Sequence, residues 1–314
     1  MTSEGNRTKA VILIPTYNSA GTVRETLGSV LAQGAHLERL AAVWVADDCS
    51  EDETRSIVNA TWDSSVPLQI LSAEQNLGER GNVNRAARTI RAAADWMLIL
   101  HADDVARADW LALMLERIDA CDTHVASICS SWDNWMPDGS VRRGEDNVAR
   151  PVEVIKGDAM SVRGTLKRGC WWHISGCAIR LAALDDVGGF DPRMPQIGDW
   201  EWLLRCLARG WWIEYVPRTL IKYRQHTASV SATSSRFDRD VRESLQILRR
   251  YASLLSSTAL LELHGRRMSN CIRRIMRAVL RRDVRRLVLA SQTLWLVGVN
   301  LLKVFKEKRK AIGG

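Results

Sequence analysis

The sequence predicts an α/β fold, a mostly parallel Rossmann-like sheet flanked by helices, followed by an α-helical C-terminal extension. Three observations lead there. Short apolar, β-branched runs alternate with segments of helical periodicity in the N-terminal third of the 314-residue chain. Each of three such runs is followed directly by a polar or acidic turn. From about Ser234 onward the pattern is helical, with no strand-like alternation. The expected domains are therefore residues 1–233 and 234–314.

Ala10–Ile14 reads as a buried strand, ended by Pro15, and Val23, Leu27, Val30 and Leu31 recur behind it at helical spacing, with Ser19 or Thr22 available as a cap. A second copy of the unit is strand Ala41–Ala46, the acidic turn DDCSED and a helix from about Asp52. A third strand is expected at Leu68–Leu71. Helix Asn84–Ala94, strand Trp96–Leu100 and helix Ala108–Asp119 continue the alternation. Parallel strands need crossovers, so such a run implies a sheet covered on both faces. Ligands of such sheets sit at the carboxyl ends of the strands, where PTYN, DDCSED and HADD fall. Residues 121–175 are less regular. A strand at Ile174–Ile179, a short helix at Asp199–Arg209 starting on an acidic cap, and a strand at Trp211–Val216 complete the first domain.

Composition bounds the function. A hydrophobic fraction of 46% and a charged fraction of 25% describe a globular protein. The net charge of +8 is unevenly placed: from Arg236 to the end there are 19 Lys/Arg against 6 Asp/Glu, or +13, which leaves −5 for residues 1–235. A basic surface confined to an extension speaks for attachment and against a nucleic-acid partner. Seven cysteines without CxxC pairs suit free thiols in a reducing compartment, and MTSEGNRTKAVILIPTYN has too short an apolar stretch for a signal peptide. A cytoplasmic protein is expected.

The ordered set VILIPTYNSAGTVRETLGSVLAQ, VADDCSEDET, QNLGERGNVNRA, ILHADDV, GGFDP, GDWEWLLR and YRQHTASVS, running from roughly residue 8 to 232, resembles the family 2 glycosyltransferases of GT-A fold. No single piece is decisive; the order and spacing carry the resemblance. It implies an inverting transfer of a monosaccharide from a nucleoside-diphosphate sugar, with Mn²⁺ or Mg²⁺, to a hydroxyl of a glycan or lipid-linked acceptor in cell-surface polysaccharide or glycolipid synthesis.

Such chemistry needs a nucleoside pocket, a cation for the diphosphate and a carboxylate facing the acceptor. Pro15, Thr16, Tyr17 and Asn18 can offer backbone contacts and a stacking surface, although PTYN alone is also an ordinary strand-ending turn. A carboxylate after the second strand can accept a hydrogen bond from a pyrimidine N–H or ribose hydroxyl; the resemblance favours Asp48, while Asp47 can equally cap the next helix. In the next connection lie Asn76, Gly78, Arg80 and Asn84, where Gly permits unusual dihedrals and Arg can reach a phosphate. Arg85 and Arg88 read as solvated helix residues.

In HADD, oxygen ligands suit Mg²⁺ or Mn²⁺. The resemblance makes Asp104 the direct ligand and has Asp103 orient the ribose or a metal-bound water. His101 stands where the commoner D-x-D-D form has a carboxylate, which leaves its ligation open. By the same resemblance His226 in YRQH closes on the metal or pyrophosphate, with Arg224 beside it. Asp199 of GDWEW is placed as general base; its other reading is an N-cap, since Asp is favoured there. Eight of the thirteen tryptophans fall between Trp132 and Trp212. Most belong in a core, but Trp172 and Trp200 are expected at an acceptor-side wall, with Glu201 either an acceptor contact or an exposed helix residue.

In the extension, Met268, Ile272, Ile275, Met276, Val279 and Leu280 form one helical stripe among arginines. Leu287–Leu302 is apolar but interrupted by Ser291, Gln292, Thr293 and Asn300, and its sixteen residues would span only ~24 Å of a ~30 Å hydrocarbon core. An in-plane helix on an anionic membrane, at the inner face of the cell membrane, is the expectation; the alternatives are packing on the catalytic domain or on a second copy of the chain. Two rival functions stand beside the transferase: a nucleotidyltransferase, which lacks here an evident triphosphate loop after the first strand, and a non-catalytic sugar-nucleotide or glycan-binding protein, against which Asp48, Asp104 and Asp199 argue.

Overall fold

The computed structural model describes residues 8–144, 150–225 and 238–312. The chain divides into two compact units: Met1–Ser161, Trp171–Arg193 and Gly198–His226 form one, and Val162–Cys170, Met194–Ile197 and Thr227–Gly314 the other. The helical unit thus takes in two short segments that lie ahead of residue 234 in sequence.

In the first unit, strands β1 (Ala10–Thr16), β2 (Leu40–Asp47), β3 (Leu68–Ser72) and β4 (Trp96–Ile99) alternate with helices α1 (Val23–Leu31), α2 (Thr54–Thr61) and α3 (Gly78–Ile90). β1 pairs in parallel with β2 and β4, and β2 with β3. All seven residues of β1 are buried, as a continuous apolar run covered on both faces demands. Ile12 and Ile14 pack with Val23 and Leu27 of α1 and with Trp110 and Met114 of α4 (Trp110–Ala120). Each such side chain contributes on the order of 1.5–3 kcal/mol by leaving water.

The second half of the sheet is mixed. β5 (Val105–Ala106), β6 (Val125–Trp135), β7 (Val141–Arg142), β8 (Glu153–Ile155), β9 (Ala178–Arg180) and β10 (Trp212–Arg224) extend it to ten strands, along the order β3-β2-β1-β4-β9-β6-β10-β5. β9 is antiparallel to both β4 and β6, whereas β6 and β10 are parallel. The parallel expectation therefore holds for the N-terminal half of the sheet, and the irregular stretch after residue 121 contains the long strand β6. Helices α6 (Leu181–Val187) and α7 (Gly198–Ala208) complete this unit, whereas most of α5 (Ala159–Arg168) falls in the Val162–Cys170 segment of the other. The seven cysteines are free thiols.

The helical unit comprises α8 (Arg239–Arg250), α9 (Ser257–Leu280) and α10 (Val284–Ile312). Its core sets Val241 and Leu245 of α8 against Cys271 and Val297. Buried Asp238 accepts from Arg274 at 2.6 Å and Arg286 at 3.0 Å, which holds the start of α8 to the other two helices. α10 is one continuous helix rather than a sixteen-residue segment. Of the polar residues expected to interrupt it, two find partners, Thr293 donating to the Leu289 carbonyl at 3.0 Å and Asn300 Oδ1 lying 3.0 Å from His264 Nε2, while Ser291 and Gln292 are exposed. Within Val284–Arg309 an 18-residue stretch reaches a mean hydropathy of 1.5, so by length and composition alone the helix is long and apolar enough to cross a membrane.

Candidate active site

Because β2, β1 and β4 are adjacent and parallel, the segments following them emerge at one edge of the sheet. After β1, Tyr17 is exposed and Asn18 takes a left-handed φ of 47°. Asn18 ties this turn to the next one: its N–H donates to Ser50 Oγ at 2.9 Å and its Oδ1 accepts from Glu51 N–H at 2.9 Å. Thr16 Oγ1 donates to the Ala46 carbonyl at 3.3 Å, and Pro15 pairs across from Ala46 in the ladder. Asp47 is buried and accepts from Ser50 N–H at 3.2 Å and from Thr16 Oγ1 at 3.4 Å, which braces its own loop against the end of β1.

Asp48 accepts from Leu77 N–H at 2.9 Å, which links the β2 end to the start of α3. Burial pushes its carboxyl up, against the Leu77 and Gly78 amides and the Arg85 cation. Asn76 accepts from Gly78 N–H at 3.0 Å, and Gly78 has φ 72°, the conformation for which Gly was expected. Arg85 is not a freely solvated helix residue: it donates to the Leu71 carbonyl at 2.8 Å and to Asn82 Oδ1 at 2.9 Å, closing the carboxyl end of β3.

Beyond β4, one ligand atom each of His101, Asp103 and Asp104 lie within 4.8 Å of one another. Asp104 is fully buried; its Oδ1 accepts from Arg224 N–H at 3.0 Å, while its Oδ2 has no hydrogen-bond partner among the described residues. Burial, and then the Asp103 carboxylate, push Asp104 up to about 7. A buried carboxylate oxygen without a donor, next to a second carboxylate and an imidazole, fits a divalent cation with O and N ligands. His101, left open by the sequence, is thus gathered into this cluster.

Behind it runs a chain of charges. His101 Nε2 lies 3.2 Å from Glu79 Oε1, Arg80 donates to the same Glu79 oxygen at 3.0 Å, and Arg80 also pairs with Asp199. Burial disfavours charge on Glu79, but the Arg80 and His101 cations hold its carboxyl far below the ordinary range. Burial likewise opposes protonation of His101, yet Glu79 overrides it and raises the imidazole to about 9. His173, whose ring centroid lies 6.2 Å from that of His101, goes the other way, to about 4, through burial and the neighbouring His101 charge.

The local sequence explains how α7 meets α3. In GGFDP, Asn84 Nδ2 donates to the Phe190 carbonyl at 2.7 Å and its Oδ1 accepts from Phe190 N–H at 2.8 Å. A Cβ on Gly189 would stand 2.3 Å from that Oδ1, so only Gly allows the approach. A Cβ on Gly198 would stand 3.0 Å from Arg80 Nε. α7 begins at Gly198, so Asp199 lies inside its first turn rather than at an N-cap, and its carboxylate is held by Arg80.

Several expected residues lie elsewhere. Trp172 is core rather than wall: it is 1% exposed, its ring centroid is 5.3 Å from that of Trp202, and its indole N–H donates to Ser127 Oγ at 2.9 Å. Trp200 is buried as well. Glu201 is neither exposed nor open to an acceptor; Arg205 Nε lies 2.9 Å from both its oxygens. Arg224 is anchored, with Nε donating to the Asp103 carbonyl at 2.9 Å, a pairing to Glu25, and its guanidinium 4.0 Å from the Trp135 ring centroid. His226 lies outside the described residues. The sequence alone does not single out Glu79 or His173. The available signal for Glu79 was an acid adjoining Arg80 at a helix start.

A parallel half-sheet delivering acidic turns to one edge, extended by a mixed half, is the architecture of GT-A glycosyltransferases. S. aureus TarS 1-349 in complex with UDP-GlcNAc superposes with a TM-score of 0.59 at 16% identity, covering 96% of this chain and 92% of that one. Mannosyltransferase PcManGT from Pyrobaculum calidifontis in complex with GDP-Man and Mn²⁺ gives 0.56 at 17%, covering 95% and 88%. At these identities the likeness is one of fold. Residues 11–176 match the model of Glycosyl transferase family 2, and the chain belongs to that family. Among curated relatives, the succinoglycan biosynthesis protein ExoO of Rhizobium meliloti is 36% identical over 115 residues, 36% of this chain and 31% of the relative. The putative teichuronic acid biosynthesis glycosyltransferase TuaG of Bacillus subtilis is 30% identical over 106 residues, 33% of this chain and 40% of the relative. The matches thus span well under half of either relative.

Proposed function

We propose that the protein is an inverting, metal-dependent glycosyltransferase that moves a monosaccharide from a nucleoside-diphosphate sugar to a hydroxyl of a glycan or lipid-linked acceptor in cell-surface polysaccharide or glycolipid synthesis. The observation that carries this is the chain Asp199–Arg80–Glu79–His101, which joins the candidate base to the His101, Asp103 and Asp104 cluster. Support for the donor class comes from the UDP-GlcNAc and GDP-Man complexes of the two structural neighbours, and support for polymer synthesis from the names of ExoO and TuaG.

Asp48 binds the nucleoside, with the Thr16–Asn18 turn and Asn76 beside it. Asp104, Asp103 and His101 are the residues that would hold Mn²⁺ or Mg²⁺, whose chemistry is neutralisation of the charge on the departing diphosphate. Asp199 accepts the proton of the acceptor hydroxyl as its oxygen bonds to the anomeric carbon and the bond from that carbon to phosphate breaks. A single displacement of this kind inverts the anomeric configuration. Arg80 is a positioning residue: it fixes the Asp199 rotamer.

The experiment is turnover of a panel of UDP-, GDP- and dTDP-sugars with Mn²⁺, read as released nucleoside diphosphate. Metal-dependent release from at least one donor is expected. Donor binding without turnover, in the presence of acceptor glycans, would favour the binding-protein reading instead.

A further inference from the structure

The helical unit carries apolar surface that its own core does not use. Of fourteen exposed large apolar side chains among the described residues, nine belong to α9 and α10, so the exposure belongs to this hairpin and is not general surface scatter. It concentrates where α9 turns into α10, at Ile272, Met276, Val279, Leu280, Val284 and Val288, with Leu280 82% exposed. The turn itself is tight: Arg282 has φ 53°, and Asp283 N–H donates to the Ala278 carbonyl at 2.9 Å. The stripe that the sequence marks as amphipathic thus points largely outward, while Cys271 and Ala278 supply the packed face.

Around these side chains stand five exposed arginines, Arg273, Arg277, Arg281, Arg282 and Arg285, none in an ion pair among the described residues. Asp283 is the one acid between them, and its carboxylate accepts from Arg286 N–H at 2.9 Å. A second copy fits this surface poorly, because an isologous contact would set arginines against arginines. Nucleic acid would leave the apolar side chains unused. Crossing a bilayer fits α10 poorly, because it is fastened to its own unit by the Asn300–His264 bond and by Arg249 paired with Glu307.

We propose that the α9–α10 turn is a docking surface for an anionic lipid bilayer. The apolar side chains enter the boundary between headgroups and acyl chains, and the arginines engage headgroup phosphates. This rests on neither the donor nor the reaction assigned above. Its consequence is to hold the chain at the surface where a lipid-linked acceptor resides.

The test is flotation of the full chain with vesicles of phosphatidylcholine alone or with about 30 mol % phosphatidylglycerol. The wild type is expected to partition at least roughly tenfold more strongly to the anionic vesicles, and less so as salt is raised. Leu280→Asp with Val284→Asp, and separately Arg277→Glu with Arg281→Glu, are each expected to lower that partition by about tenfold or more. These positions are exposed, so unchanged circular dichroism and thermal midpoints are expected of both variants. Wild-type partition that is absent, or equal in the variants, overturns the proposal. So does a dimer in sedimentation velocity without vesicles that Leu280→Asp dissociates, since the occupant would then be a second copy.

Discussion

Replacing Glu79 by Gln tests the charge chain behind the cluster. Gln keeps the shape of Glu79 and removes the charge that faces Arg80 at 3.0 Å and His101 at 3.2 Å. In the metal-free wild type His101 is raised to about 9 from an ordinary 6.5, with burial working against the rise. Without Glu79 the burial penalty is largely unopposed, so His101 should titrate at or below its ordinary value, a fall of at least about two units. The linked stability has a definite sign. A histidine whose folded pKa lies above its unfolded one contributes stability fully present below about 6.5 and lost as pH rises through about 9. The wild type should therefore exceed Glu79→Gln in stability most at pH 6, by at most about 3 kcal/mol from this group, with the gap narrowing by pH 9. The assay is ¹⁵N-detected titration of the histidine ring nitrogens in metal-free protein, with urea unfolding at pH 6 and 9. A His101 pKa unchanged within about half a unit, or a stability gap that widens with pH, would exclude Glu79 as the source of the His101 shift.

Other perturbations separate binding from packing. Asp104→Asn should abolish Mn²⁺ binding measured by calorimetry, yet raise the thermal midpoint of the metal-free protein above pH 7. An acid raised to about 7 lowers folded stability as pH climbs from its ordinary value through 7, and Asn removes that cost. Trp172→Ala should cost about 3–5 kcal/mol in urea unfolding, whereas Trp172→Phe, which keeps a ring against Trp202 and Phe190, should retain glycosyl transfer. Transfer that collapses in a Trp172→Phe protein of unaltered stability would return this residue to an acceptor wall. Arg80→Met should lower both the thermal midpoint and transfer, because two carboxylates lose their shared cation. A variant that matches the wild type in both would remove Arg80 from the account.

The legible part of the sequence was local. β1, β2 and β4 are apolar runs ended by turns, and a parallel sheet brings the turns after them to one edge, so Asp48 and HADD could be located without coordinates. β6 was not legible because its pattern, VASICSSWDNW, is interrupted by polar residues that are buried in the structure. Ser127 donates to the Ala178 carbonyl at 2.8 Å, and Asp133 pairs with Arg107 at 2.6 Å, partners remote in sequence. The antiparallel insertion of β9 between β4 and β6 is likewise a long-range choice. The same limit governs the site. Asp199 could be placed in a helix start, but its clasp by Arg80 and the contact of Glu79 with His101 depend on α3 meeting α7 and the β4 end. The burial of Glu201 was not legible because it depends on Arg205, which pairs with it at i+4 and also donates to the Gly189 carbonyl at 2.6 Å, a partner set by tertiary packing.

In the proposed reaction Asp199 takes the acceptor's proton. The most direct test is Asp199→Asn, with donor affinity measured by calorimetry in Mn²⁺ and single-turnover transfer measured on the same preparation. The predicted result is donor binding within about threefold of wild type and transfer reduced by roughly a hundredfold or more. Transfer at the wild-type rate would contradict the account and give the proton to another residue.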